Sequence, residues 1–183
     1  PYYVTIFYNS LGIFMWMQSL RENRDTAYMM LLPVTKAEMV RARLRTVVQL
    51  ELLQLLACVP FMVLRASYGH LNNAVGIEAN TAFLGLGLVQ MGLFNLVFFP
   101  MHYKNAYDLG KPFLLSSIAL ALGVLVLETL QHILPYLNDV CDSYAAADQL
   151  RQIPVLLGGL LVFSLLTARS FTLSVRRFEA ADL

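Results

Sequence analysis

Two ionisable side chains, Glu128 and His132, lie four residues apart in an apolar stretch. On a helix this spacing places both on one face, where they could bind a cation, relay protons or line a substrate path. A hydrogen-bonded pair near one end of the helix is the structural alternative. A zinc protease would need the His-Glu-x-x-His pattern, which the sequence lacks. His70 and His102 fall in or beside loops on opposite sides of the predicted bundle, so no three-histidine metal site is expected.

A further acidic residue, Glu51, stands in another apolar stretch with Gln49 and Gln54 beside it. A charge at the centre of a membrane helix costs about 2.5–3.5 kcal/mol, so such a residue is a functional candidate. The alternative is a Glu near the interface that reaches the surface or pairs with a basic residue. The candidate residues for a translocation path are Glu51, Gln54, Gln90, Glu128 and His132.

The sequence has no Gly-x-x-x-x-Gly-Lys-Ser/Thr loop to hold nucleotide phosphates, so the chain is not expected to hydrolyse ATP. Cys58 and Cys141 lie at different depths, which predicts neither a disulfide nor a metal site between them. The net charge of +1 gives no field that favours nucleic acid. We therefore predict no cofactor, metal or nucleic acid bound by this chain.

The composition predicts an all-α, polytopic membrane bundle. Hydrophobic residues make up 58% of the 183 residues and charged residues only 14%, whereas soluble domains have about 25% charged residues. A membrane helix needs about 20 mostly apolar residues, and the alternating strands of about ten residues that a barrel requires are not visible. Five segments fit a helical span, at roughly 2–20, 46–65, 81–103, 113–135 and 153–173.

The basic residues predict an orientation for these spans. All but two of the 13 Lys and Arg residues, Arg65 and Arg151, fall on one side, which should be cytosolic. Residues 21–45, the Lys104–Lys111 loop and the C-terminus are then inside, and the first residue is outside. We expect a further span upstream, which would give six in the parent chain. Residues 1–183 are interpreted as one transmembrane domain.

The connector at 21–45 is more structured than a topology signal requires. Asp25 is expected to cap a short helix that begins at Thr26, and Pro33 should end it. Thr35 and Glu38 have the spacing of a capping box, which predicts a second helix from about Lys36 into the next span.

The segment Leu31–Val40 resembles a motif of bacterial type-2 ABC transporter permeases, in which a Leu-Pro pair precedes a hydroxyl residue, a basic residue and Glu-Ile-Val. Phe99–Lys104, followed by Gly110 and Lys111, is similar to the next cytosolic loop of that family. The chain departs from the family at residues 105–107, Asn-Ala-Tyr, where glycine is common.

The resemblance implies a six-helix half-transporter in the bacterial cytoplasmic membrane. Two copies, or one copy and a related permease, would pair with two cytosolic ATPase subunits, which bind the ATP and Mg²⁺. A short coupling helix would dock in a groove of the ATPase. Carried onto this sequence, the coupling residues are Asp25, Thr26, Tyr28, Met29, Met30, Leu31, Leu32, Pro33, Thr35 and Glu38.

The arginines of the connector admit two interpretations, contact with acidic groups on an ATPase or with anionic membrane lipid. Two other functions also remain open. One is a membrane-embedded enzyme that uses Glu128 and His132, and the other is a non-transporting anchor or immunity protein. The few charges in the spans favour an amphipathic or lipid-like cargo over a small ion.

Overall fold

The computed structural model describes residues 2–67, 78–105, 108–141, 143 and 146–181. These residues form helices, with no strand among them. The helices are α1 (Val4–Glu22), α2 (Asp25–Met29), α3 (Lys36–Ser67), α4 (Thr81–His102), α5 (Gly110–Ile133), α6 (Pro135–Asp139) and α7 (Ala146–Glu179). The all-α membrane bundle expected from the sequence is thereby confirmed. His70 and the rest of residues 68–77, in the predicted outer loop, lie outside the described residues.

Four helices are long and apolar enough to cross a membrane, over Lys36–Ser67, Thr81–His102, Gly110–Leu130 and Asp148–Glu179. They coincide with four of the five predicted spans. The fifth predicted span coincides with α1, which has 19 residues but carries Asn9, Gln18 and Arg21, which lower its mean hydropathy.

Some prolines mark the boundary of a helix, whereas others lie inside one. α5 gives way to α6 at Leu134, which is extended and precedes Pro135 at the first position of the next helix. Pro154 lies inside α7, which begins eight residues earlier at Ala146 and so before the predicted span at roughly 153–173. Pro60 likewise lies inside α3.

α4 is the central helix of the bundle. In its most apolar 18-residue window 67% of residues are buried, against 11–17% for the other three candidate spans. α4 packs chiefly on α7 and next on α5. The outward faces of α3, α5 and α7 expose leucines, such as Leu56 (67% exposed), Leu125 and Leu161, which suit contact with lipid tails.

Close approach of α4 and α7 depends on glycine. A Cβ at Gly85 would lie 2.5 Å from the carbonyl oxygen of Val155, and one at Gly159 would overlap the backbone of Gly85. Gly158 faces open space, with nothing within 4 Å of a Cβ built there. Small residues let helix backbones approach in a membrane, which explains why α7 lies directly against α4.

Two apolar clusters fill the bundle, one at each end. The cluster next to residues 23–35 includes Val40, Phe94, Phe98 and Phe178, and we call this the connector end. The cluster at the opposite end includes Tyr3, Ile6, Phe83 and Phe163. Cys58 in α3 is half-buried, and Cys141, which follows α6, is buried.

Candidate functional site

The connector turns the chain sharply between α1 and α2. Arg24 has a φ of 54° and ψ of 31°, a left-handed conformation that is uncommon outside glycine. Asn23 closes α1 through a bond from its backbone N–H to the carbonyl of Ser19 (3.0 Å). α2 therefore leaves the end of α1 in a new direction.

Asp25 does not cap α2, so that prediction is wrong. Asp25 is the first residue of α2, and Arg24 occupies the cap position without a side-chain bond. The Asp25 carboxylate instead accepts a 2.6 Å hydrogen bond from the Arg43 guanidinium, which also donates to the Thr26 hydroxyl at 2.9 Å. Arg43 is only 8% exposed, so this arginine fastens α2 to α3 and does not face a partner or lipid.

The end of α2 also differs from the prediction. α2 ends at Met29, three residues before Leu32, and the chain continues in turns that join Leu31 N–H to Tyr28 O (3.1 Å) and Leu32 N–H to Met29 O (3.2 Å). Tight i to i+3 bonds are common at helix ends, and Pro33 prevents the helix from continuing.

The predicted coupling residues divide into an inner and an outer set. Met29 is partly buried against the core at the connector end, and Asp25 and Thr26 hold Arg43. The outer set is apolar and exposed, and we call it the α2 patch: Tyr28 (65% exposed), Met30 (37%), Leu31 (82%) and Leu32 (41%). Pro33 is also exposed.

The predicted capping box is present at the start of α3. The backbone N–H and the hydroxyl of Thr35 each lie 2.8 Å from a Glu38 carboxylate oxygen, and the Glu38 N–H lies 3.2 Å from the Thr35 hydroxyl oxygen. α3 begins at Lys36, as predicted, and runs unbroken to Ser67.

Lys36 connects the start of α3 to the end of α7. Its ammonium group donates hydrogen bonds of 2.9 Å to the carbonyl oxygens of Phe178 and Ala181, and it lies 5.3 Å from the Phe178 ring centroid. Cations at a helix C-terminus satisfy carbonyls that have no partner within the helix. The connector is therefore held by both α3 and α7.

Aromatic rings extend this support to α4. Tyr103 packs on Phe178 with 5.0 Å between ring centroids, and His102 lies 5.0 Å from Tyr103 and 6.2 Å from Phe98. His102 is only 3% exposed, at the end of α4. Sequence reasoning placed His102 beside a loop and missed this stack, although the run of aromatic residues at 98–103 was a visible signal.

Glu51, a candidate path residue, lies inside the bundle at 1% exposure. Its carboxyl group accepts a 3.0 Å hydrogen bond from the Asn95 amide, and the Asn95 backbone carbonyl accepts one from the Ser170 hydroxyl at 2.6 Å. The interface alternative, in which Glu51 pairs with a basic residue, is not what the structure shows. Sequence reasoning missed Asn95 and Ser170, which join α3, α4 and α7 through polar contacts.

Gln54 and Gln90 lie apart from that contact. Gln54 donates a 2.7 Å bond to the Thr5 carbonyl of α1. Gln90 is 2% exposed and lines a cavity of about 350 Å³ together with Tyr3 and Ser117. Among the residues the structure describes, none partners the Gln90 carbonyl oxygen, the Tyr3 hydroxyl or the Ser117 hydroxyl. This cavity between α1, α4 and α5 is thus apolar with three neutral polar groups at its wall.

Glu128 and His132 lie on the half of α5 that is farther from the connector. Glu128 is partly buried, whereas His132 is exposed. Within the described parts of the chain, no group of three or more His, Cys, Asp or Glu side chains could hold a metal ion. The five candidate path residues are therefore distributed over different contacts and do not converge on one reactive centre.

A helical membrane bundle with a structured connector is typical of a transporter's membrane subunit. The chain matches the family described as "ABC-2 family transporter protein" over residues 1–179, so it belongs to that family. It is an integral membrane permease component of an ABC transporter and not itself the catalytic subunit. No curated protein and no solved structure matches the chain.

Proposed function

We propose that this chain forms the translocation path of an ATP-driven exporter and that the α2 patch docks on a separate cytosolic ATPase. The main support is that the α2 patch is apolar and exposed, with Leu31 82% exposed. α2 has five residues, which is too short to span a membrane. Exposed apolar patches mark interaction surfaces, and methionine adapts well to a partner's shape. ATP and Mg²⁺ would be bound by the partner.

The position of basic residues supports a cytosolic connector in the bacterial cytoplasmic membrane. Arg21, Arg24, Lys36, Arg41 and Arg45 lie at the connector end, and short loops rich in Lys and Arg remain on the cytosolic side. The C-terminal end of α7 lies at the same end, since Lys36 binds Phe178 and Ala181. Both would therefore face the ATPase.

The contacts behind the patch supply a route by which motion reaches the spans. A push on α2 is transmitted to α3 through the 2.6 Å Arg43–Asp25 bond. α3 in turn contacts α4 through Glu51 and Asn95. Rigid-body movement of helices is a recognised mode of switching, and a second permease copy or a related chain would form the other half of the path.

The test replaces two patch residues, Met30→Asp and Leu31→Asp together, in the complete transporter. Because both side chains are exposed, the variant should insert and fold normally but lose ATPase binding and coupled transport. A matched control, Met30→Leu and Leu31→Met, keeps the patch apolar and should retain both. Normal transport by the Asp variant would rule out docking through α2.

The same preparation distinguishes the alternative functions. Substrate-stimulated ATP hydrolysis by the purified complex is expected of an exporter and not of an anchor or immunity protein. A His132→Ala variant should keep transport, whereas an enzyme that uses Glu128 and His132 would lose its activity.

A further inference from the structure

A groove lies between α3 and α7 on the outside of the bundle near the connector end. Its volume is about 380 Å³. The groove is lined by residues of both helices: Arg41, Leu44, Arg45 and Val48 of α3, and Thr167, Ala168 and Phe171 of α7. None of these residues belongs to the α2 patch or to the candidate path.

The charge at the groove is cationic. Arg41 and Arg45 are four residues apart, so they share one face of α3, and both are exposed. The Arg41 guanidinium lies 5.6 Å from the Phe171 ring centroid, which holds it beside the groove. No Asp or Glu is among the described lining residues, and the nearby Glu38 carboxylate already bonds the N–H and hydroxyl of Thr35.

The rest of the groove is apolar with one polar exception. The hydroxyl oxygen of Thr167 is buried and has no hydrogen-bond partner among the described residues. A buried hydroxyl usually has a partner. From Arg41 to Val48 the helix advances about 10 Å, and Val48 is the lining residue of α3 farthest from the connector end. The arginines therefore lie nearer the connector end, within roughly the depth of a lipid headgroup and its first acyl carbons.

We propose that this groove binds one anionic phospholipid from the leaflet at the connector end. The phosphate lies between Arg41 and Arg45, since guanidinium groups bind phosphate oxygens well. An acyl chain lies over Leu44 and Val48 beside Phe171, and the Thr167 hydroxyl donates to an ester carbonyl. A soluble acidic segment fits less well, because Val48 and Thr167 lie within the predicted spans.

The bound lipid bridges α3 and α7 at a second point. The first point is Lys36, which binds the carbonyls of Phe178 and Ala181. An occupied groove therefore limits separation of the two helices on the lipid-facing side. This inference does not depend on ATPase docking at the α2 patch.

The experiment uses the complete protein in nanodiscs that contain phosphatidylcholine with increasing phosphatidylglycerol, and native mass spectrometry counts retained lipid. The variant Arg41→Gln with Arg45→Gln should reduce retained phosphatidylglycerol by about tenfold or more. The control Arg176→Gln with Arg177→Gln removes the same charge from exposed positions at the end of α7 and should retain the lipid. The variant Thr167→Val should weaken retention without any change of charge.

Unchanged retention in the Arg41/Arg45 variant, or equal loss in the Arg176/Arg177 control, would overturn the proposal. The Arg41/Arg45 variant can also be assembled with the partner ATPase. If it loses that subunit while phosphatidylglycerol stays bound, the arginines contact protein and the proposal is overturned. The variant Arg41→Lys with Arg45→Lys keeps the charge and should retain lipid. An unchanged unfolding temperature of the Gln variant excludes misfolding as the cause of loss.

Discussion

The Arg43 guanidinium lies 2.6 Å from the Asp25 carboxylate, although 18 positions separate the two residues. This ion pair joins the short α2 to the long α3, and its arginine side chain is 9% exposed while its aspartate side chain is 32% exposed. This pair, together with the Arg43–Thr26 bond and the packing of Met29, orients the α2 patch. A hydrogen bond between charged groups in such a position is stronger than one at a fully exposed surface.

Removal of the pair should loosen α2 without unfolding the bundle. Arg43→Ala should lower the free energy of unfolding by about 2 kcal/mol, the usual range for a hydrogen bond to a charged group. Asp25→Ala should cost a similar amount, because it leaves the buried Arg43 guanidinium without its carboxylate partner. The double variant should cost less than the sum, because the two changes remove one shared contact. Thermal unfolding in detergent measures this cycle, with exposed Arg177→Ala as a control. Strict additivity would argue against the contact.

The α4–α7 contact predicts opposite outcomes at adjacent glycines. Gly159→Ala should destabilise the protein by about 1–3 kcal/mol or more, because the added methyl group meets the backbone of Gly85. Gly158→Ala should be neutral or slightly stabilising, since its Cβ meets nothing within 4 Å and alanine favours a helix by roughly 0.8–1 kcal/mol over glycine. Unfolding temperatures of the two variants compare them directly. Equal values would contradict the close approach.

The Glu51–Asn95 contact predicts that a second substitution restores part of the stability lost by the first. Asn95→Leu should destabilise the bundle by about 1–3 kcal/mol, because the buried Glu51 carboxyl group loses its donor. Adding Glu51→Leu should recover part of that loss, since replacing both partners by apolar groups removes the unsatisfied group. Gln49→Leu, at an exposed position two residues away, serves as the control. If the double variant is less stable than Asn95→Leu alone, loss of the Glu51–Asn95 hydrogen bond is not the cause of the destabilisation.

The capping box predicts a small, local effect. Thr35→Ala should reduce stability by about 1 kcal/mol, the typical cost of losing a hydroxyl cap. Thr35→Ser keeps the hydroxyl that lies 3.2 Å from the Glu38 N–H and should behave as the native protein. Hydrogen exchange at the first turn of α3 provides the readout. Equal protection in the Ala and Ser variants would show that the cap does not hold the helix start.

Local features of the sequence predicted local structure well. The box formed by Thr35 and Glu38 needs only a spacing of three residues, and the structure contains it. Asp25 could not be assigned in the same way, because its partner Arg43 comes from another helix. In the sequence, Arg43 is one of many basic residues that predict the orientation of the spans. No neighbouring residue distinguishes it from the exposed Arg41.

Hydropathy also could not identify the central helix. The mean hydropathy of α4 is 1.9 and that of α3 is 2.0 in their most apolar windows, yet α4 is mostly buried and α3 is not. Lipid tails and a protein interior both favour apolar side chains. The distinguishing signal was the glycine content of α4, since Gly85 and Gly92 meet the backbone of α7. Asn95, a polar residue within an apolar helix, is a second signal of burial.

The Lys36 contact with the end of α7 has a consequence for biogenesis. Lys36 and Phe178 are 142 positions apart, so at about 5–20 residues per second the ribosome needs roughly 7–28 s to supply the second partner after the first. During that interval the start of α3 lacks the carbonyls that later hold it. A nascent or truncated chain that lacks the end of α7 therefore holds the connector only through α3, by the Arg43–Asp25 pair.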